Sequence, residues 1–142
     1  KELDFNGVYK LSAGGDLSLV SKEMSIPNGI VLSLDEKYVY VNNSDTDDPK
    51  IMKFDTENFQ GELFFDGKEL TKKYQGGFDG LKVHSSGNIF STGPNGILII
   101  SPQGDLLGTI NFGGGITNCN FDTNEEYLYV TAFSYVARIK LK

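Results

Sequence analysis

Two stretches of this chain place an oxygen-bearing side chain at the same point of the same outline: Asn28 in "IPNGIVLSLDEKYVYVNN" and Asp79 in "GGFDGLKVHSSGNIFSTG". In each, a turn leads to the amide or carboxylate, then to Gly, a short apolar run, a polar turn and an alternating strand. A looser third copy puts Asn118 in "TNCNFD". Asn and Asp carry oxygen acceptors, but Asn-Gly and Asp-Gly are also common turn dipeptides, so residue type alone favours turn chemistry over a site. Other candidates are few. His84 is the only histidine and Cys119 the only cysteine, too sparse a set for a zinc centre. His84 ends "GLKVH" before the "SSGN" turn, where a turn role is expected. Cys119 lies in a strand between two asparagines, with no basic neighbour in sequence to activate the thiol; a buried, small apolar residue is expected there. The acidic "SDTDDP" lacks the spacing, the Gly and the closing Glu of an EF-hand loop and reads as a solvated connection.

The elements that must position these residues are strands. "GVYKLS" and "LSLVS" flank "AGGD", whose adjacent glycines suit a tight hairpin. "GIVLS", "YVYVNN", "IMKFD" and "GELFFDG" follow at intervals of about ten residues, separated by polar turn segments. "GLKVH", "NIFSTG", "GILIIS" and "LLGTINF" repeat that order, and "NCNFD", "YLYVTAF" and "YVARIKLK" begin it a third time. No window shows sustained helical spacing; one or two turns around "GKELTKKYQ" are the best helical candidate. The fold class is therefore all-β. Four-strand units at this spacing predict propeller blades whose innermost strands line a channel; a sandwich is the rival architecture. The expected blades are 1–25 (outer strands only), 26–75, 76–115 and an incomplete 116–142. The alternating tyrosines and phenylalanines of "YVYV" and "YLYV" are read as packing between blades.

Composition excludes some partners. The 142 residues carry a net charge of −6 with scattered basic residues, so neither nucleic acid nor an anionic membrane surface is expected to bind. Seventeen glycines are nearly twice the usual ~7% and fit a turn-rich β chain. No apolar run approaches the ~20 residues of a membrane-spanning helix, so a soluble chain is expected. A single cysteine does not separate a cytoplasmic from an exported, periplasmic location.

The segments "PNGIVLSLDEKYVYV", "GGFDGLKVHSSGNIFSTGPNGILIISPQGDLLGTI" and "TNCNFD...EYLYVTA" resemble the gluconolactonase branch of the SMP-30/gluconolactonase/luciferin-regenerating-like family. The resemblance implies a six-bladed β-propeller, of which this chain supplies about three blades, and a metal-dependent lactone hydrolase with one divalent cation in the channel. It implies Asn28 and Asp79 as metal ligands. Hard cations take carboxylate, amide and water oxygens, so the pair suits calcium or magnesium better than a soft metal; the resemblance implies Ca2+ first, with Mg2+ and Zn2+ as alternatives. Asp79 is also the catalytic candidate, as ligand, base, nucleophile or orienter of water, and Asn118 a substrate-binding candidate set against a capping role. A Glu and an Asn that complete the family's ligand set have no counterpart in this sequence, so the chain alone is expected to be inactive. The competing functions are a non-catalytic ligand-binding or scaffold propeller and a phosphotriesterase-like hydrolase.

The opening "KELDFNGVYKLS" resembles the middle of a family member. The expectation is a C-terminal fragment, nicked before Lys1 and packed against the N-terminal half of its own propeller, with a symmetric dimer of this chain as the alternative. A small-molecule lactone is the expected substrate.

Overall fold

The computed structural model describes residues 3–113 and 115–141. Among the described residues, thirteen strands form four antiparallel sheets, in sets of two, four, four and three. The first pairs β1 (Val8–Leu11) with β2 (Leu17–Ser21). The second is a meander of β3 (Pro27–Leu32), β4 (Tyr38–Asn43), β5 (Lys50–Asp55) and β6 (Gly61–Asp66). One turn of helix, α1 (Lys68–Thr71), follows within the "GKELTKKYQ" segment. The third sheet is β7 (Leu81–Val83), β8 (Ile89–Gly93), β9 (Gly96–Ile100) and β10 (Leu106–Asn111). The last joins β11 (Ile116–Phe121), β12 (Tyr127–Ala132) and β13 (Val136–Lys140). Among the described residues no helix is long and apolar enough to cross a membrane.

Side chains alternate across a strand, and each central sheet uses both faces. On β9, Leu98 and Ile100 join Tyr40, Ile51, Phe65, Phe78, Leu81 and Ile89 in the core between the second and third sheets. The intervening Ile97 and Ile99 join Phe90, Ile116, Cys119, Leu128 and Val130 between the third and fourth. Burial on both faces explains why "GILII" is a continuous apolar run rather than an alternating one. Val8, Met24, Val41 and Phe54 close the third interface, between the first and second sheets. Each fully buried aliphatic side chain contributes about 1.5–3 kcal/mol, so stability resides in sheet-to-sheet packing, as propeller blades require.

The repeat extends to backbone conformation. In the turns between the first two strands of the last three sheets, Glu36, Gly87 and Glu125 all adopt positive φ (59°, 85° and 54°). Their N–H groups donate to Ser33, His84 and Asp122 carbonyls respectively. These three residues also cap the turns: Ser33 Oγ takes the Tyr38 N–H, Asp122 Oδ1 the Tyr127 N–H, and His84 Nδ1 the Ser86 N–H. His84 thus holds a turn-capping position. Its Nε2 lies 3.3 Å from Glu125 Oε2, tying two blades together at their outer turns.

Candidate functional site

The innermost strands β3, β7 and β11 lie side by side, with Asn28 on β3, Asp79 in the segment just before β7 and Asn118 on β11. Two glycines set how close they lie. A Cβ on Gly29 would stand 2.0 Å from the Asp79 carbonyl oxygen, and one on Gly80 would stand 2.1 Å from Asn118 Oδ1. Neither glycine has positive φ, so the requirement is space between strands. The Gly80 N–H donates to the Thr117 carbonyl at 3.0 Å, linking β7 to β11 directly. The pairing register slips between Pro27 and Ile30 on β3, and between Ile116 and Asn118 on β11. Such irregularities re-aim side chains and recur beside functional sites.

Asn28 and Asp79, 51 positions apart, meet in one cleft of about 460 Å³, lined also by Ser44, Phe78, Ile116 and Phe133. The Asn28 Nδ2 donates to Ser44 Oγ at 3.1 Å, and Ser44 Oγ donates to the Phe78 carbonyl. Burial pushes the Asp79 carboxyl above the usual carboxylate range, partly offset by hydrogen bonding from the Asn28 side chain. No basic side chain contributes to its ionisation. Because the folded carboxyl keeps its proton to higher pH than the unfolded one, stability falls as pH rises through that window unless a cation compensates.

A desolvated carboxylate without a basic partner, beside an amide, fits a hard cation and its oxygen ligands. Among the described residues, no group of three or more His, Cys, Asp or Glu could hold a metal ion. Asn118 is exposed, and its Oδ1 takes its own neighbour's N–H, from Cys119, at 2.9 Å. It packs on Gly80 and does not line the cleft. Cys119 is buried, donates from Sγ to the Phe90 carbonyl at 3.6 Å, and is pushed up to about 12 by burial, which keeps it an unreactive thiol.

Sequence reasoning passed over the residues that hold Asp79. Asn42, at the end of "YVYVNN", donates from Nδ2 to the Asp79 carbonyl at 2.9 Å, and Thr92 Oγ1 accepts the Asp79 N–H at 2.6 Å. The available signal was an apolar alternation ending in two amides, both fully buried here.

Successive four-stranded antiparallel meanders packed face to face define a segment of a β-propeller. Residues 1–134 match the SMP-30/Gluconolactonase/LRE-like region, and the chain belongs to that family. It is 35% identical, over its whole length, to the gluconolactonase of Zymomonas mobilis, of which it spans 42%. A gluconolactonase from Xanthomonas campestris superposes with a TM-score of 0.85 at 26% identity, over 99% of this chain and 46% of that one. A calcium-binding protein, regucalcin from Agrobacterium tumefaciens, shares the fold with a TM-score of 0.72 at 23% identity, over 88% of this chain and 43% of its own. The chain thus spans less than half the length of each relative.

Proposed function

We propose that this chain supplies part of the active site of a cation-dependent hydrolase of sugar lactones. The observation that carries the reading is the half-buried Asp79 carboxylate, desolvated and without a basic partner, facing Asn28 in the same cleft. Membership of a family with gluconolactonase relatives supports the substrate class, and the calcium-binding relative favours calcium over magnesium or zinc.

A bound divalent cation would polarise the lactone carbonyl and stabilise the oxyanion that develops on it. Asp79 contributes the negative charge and Asn28 a neutral oxygen. Ser44 holds the Asn28 amide by its nitrogen end, the end that also hydrogen-bonds the Asp79 carboxylate, so Oδ1 is the atom that Asn28 would offer a cation. The second Asp79 oxygen can take a hydrogen bond from an attacking water and orient it. Calcium takes six to eight oxygens, so water and residues outside this chain would have to complete the set.

Those residues come, on this reading, from the N-terminal half of the same propeller. Two apolar regions await it. One surrounds a cleft of about 640 Å³ lined by Val8, Tyr9, Val20, Ile30, Leu32 and Val39, with neighbouring Leu11, Leu17 and Leu19 exposed. The other lies at the far end, where Tyr129, Tyr135 and Val136 are exposed. The accessible surface is 8229 Å², against roughly 7,200 Å² for a compact monomer of this mass. The isolated 142-residue chain is accordingly expected to associate or aggregate. A monodisperse 15.6 kDa species in light scattering would overturn the missing-half reading, and a clean dimer would replace it with ring closure by two copies.

The functional test is hydrolysis of several aldonolactones, an aryl ester and an aryl phosphotriester by the intact protein, with and without chelator. Lactone turnover lost with chelator and restored by calcium is the expected result. Preference for the phosphotriester would move the assignment to phosphoryl chemistry, and no turnover of any of them would favour a binding propeller.

A further inference from the structure

The backbone around Asp79 belongs to no helix or strand, yet all four carbonyls from Gly77 to Gly80 and the Asp79 and Gly80 N–H groups have partners. Thr92 Oγ1 accepts the Asp79 N–H at 2.6 Å and donates to the Gly77 carbonyl at 3.3 Å. Ser44 Oγ holds the Phe78 carbonyl. Asn42 Nδ2 holds the Asp79 carbonyl at 2.9 Å and also donates to Ser91 Oγ at 3.0 Å. The Gly80 N–H reaches the Thr117 carbonyl, and its carbonyl accepts the Thr92 N–H at 2.9 Å. Asn42, Ser91 and Thr92 are fully buried. The Asp79 peptide is gripped on one side by β8, from its own sheet, and on the other by β4, from the preceding one.

We infer that Thr92 and Asn42 are positioning residues for Asp79: they clamp its backbone N–H and C=O, in the peptide groups on either side of its Cα, so that the carboxylate is held at the Asn28 side of the cleft. The inference rests on the reading of Asp79 as a cation ligand. A buried polar side chain is costly unless its partners are exact in number and place, and an aliphatic residue would fill either position without that demand. What the polar choice adds here is a fixed direction for the one carboxylate among the described residues of the cleft. A ligand's orienting partners commonly govern metal affinity by about 10–100-fold.

Calcium titration calorimetry of the intact protein, paired with thermal melting, tests this without relying on turnover. Thr92→Val keeps the shape and deletes the hydroxyl; it is expected to weaken calcium binding about 10–100-fold. Thr92→Ser, which restores the hydroxyl, is expected to return the affinity to near the wild-type value. Ile100→Val, a core truncation remote from these hydrogen bonds, is expected to lower the melting temperature while leaving the affinity alone. Should Thr92→Val fail to fold, Asn42→Ser, whose hydroxyl is too short to span to the Asp79 carbonyl, is read in the same way. A clamp variant that melts earlier but binds calcium like the wild type overturns the inference and leaves the residues as packing. A wild-type protein that binds no calcium overturns the cation reading itself, and the inference with it.

Discussion

Asp79→Asn is expected to abolish cation-dependent lactone hydrolysis while leaving the fold intact or firmer. Asn has nearly the volume of Asp, so the cleft keeps its shape. The charge that a divalent ion requires is gone, and loss of a ligand should exceed the 10–100-fold typical of losing a ligand's hydrogen-bond partner. A fall in kcat/KM of more than about a hundredfold is therefore anticipated. Stability should move the other way. The folded protein holds this carboxyl above its ordinary range, chiefly through burial, so its ionised form is a liability at neutral pH in the absence of a cation. Removing it should raise the apo protein's melting temperature and eliminate the further rise that calcium gives the wild type. His84→Ala and Cys119→Ser, by contrast, should leave turnover within about twofold, His84 because it caps a turn and ties blade to blade, Cys119 because its thiol is buried and protonated. An Asp79→Asn protein that hydrolyses lactones like the wild type would remove the centre of the proposed site, and comparable losses from His84→Ala would move it to the outer turns.

The strands were legible because burial dictates their alternation, and the sets of two, four, four and three follow from turn segments that recur at fixed intervals. Even "GILII" could be placed, since a strand between two packed sheets has no polar face to show. That Asn28 and Asp79 lie together was legible for a related reason: they occupy one position of a repeated unit, and stacking brings equivalent positions of neighbouring units together. What was not legible depends on contacts between units at unlike positions. Asn42 serves Asp79 from 37 residues away, and Ser44 serves Phe78 from 34. Local pattern gives no hint of either, because a buried Asn reads as a strand-end amide until its partner is seen. Asn118 illustrates the reverse: repetition placed it at the equivalent point, but a register slip and a bond to its own neighbour turn its oxygen to the backbone. The left-handed Glu36 and Glu125 were equally hidden, since only their counterpart Gly87 carries the residue type that announces such a turn.

Gly29→Ala should cost both stability and cation binding, although the change adds one methyl group and the backbone angle there suits any residue. The added Cβ would stand 2.0 Å from the Asp79 carbonyl oxygen and 2.9 Å from Leu81 Cδ2. A flexible side chain could swing aside; this carbonyl cannot do so freely, because Asn42 holds it. Relief must come from separating β3 from β7, which loosens the core containing Leu81 and Phe78 and draws Asp79 away from Asn28. Overpacking of this kind costs about 1–3 kcal/mol, or several degrees of melting temperature for a domain of this size, with calcium affinity falling alongside. Gly108→Ala supplies the comparison. Gly108 lies on β10, also without positive φ, and its added Cβ would meet nothing within 4 Å. There the methyl group removes backbone freedom from the unfolded chain and should be neutral or stabilising by up to about 1 kcal/mol. If the two substitutions shift the melting temperature equally, the close passage of β3 past Asp79 does not constrain the fold. If Gly29→Ala destabilises but calcium affinity is unchanged, the spacing of these inner strands does not set the distance between the two proposed ligands.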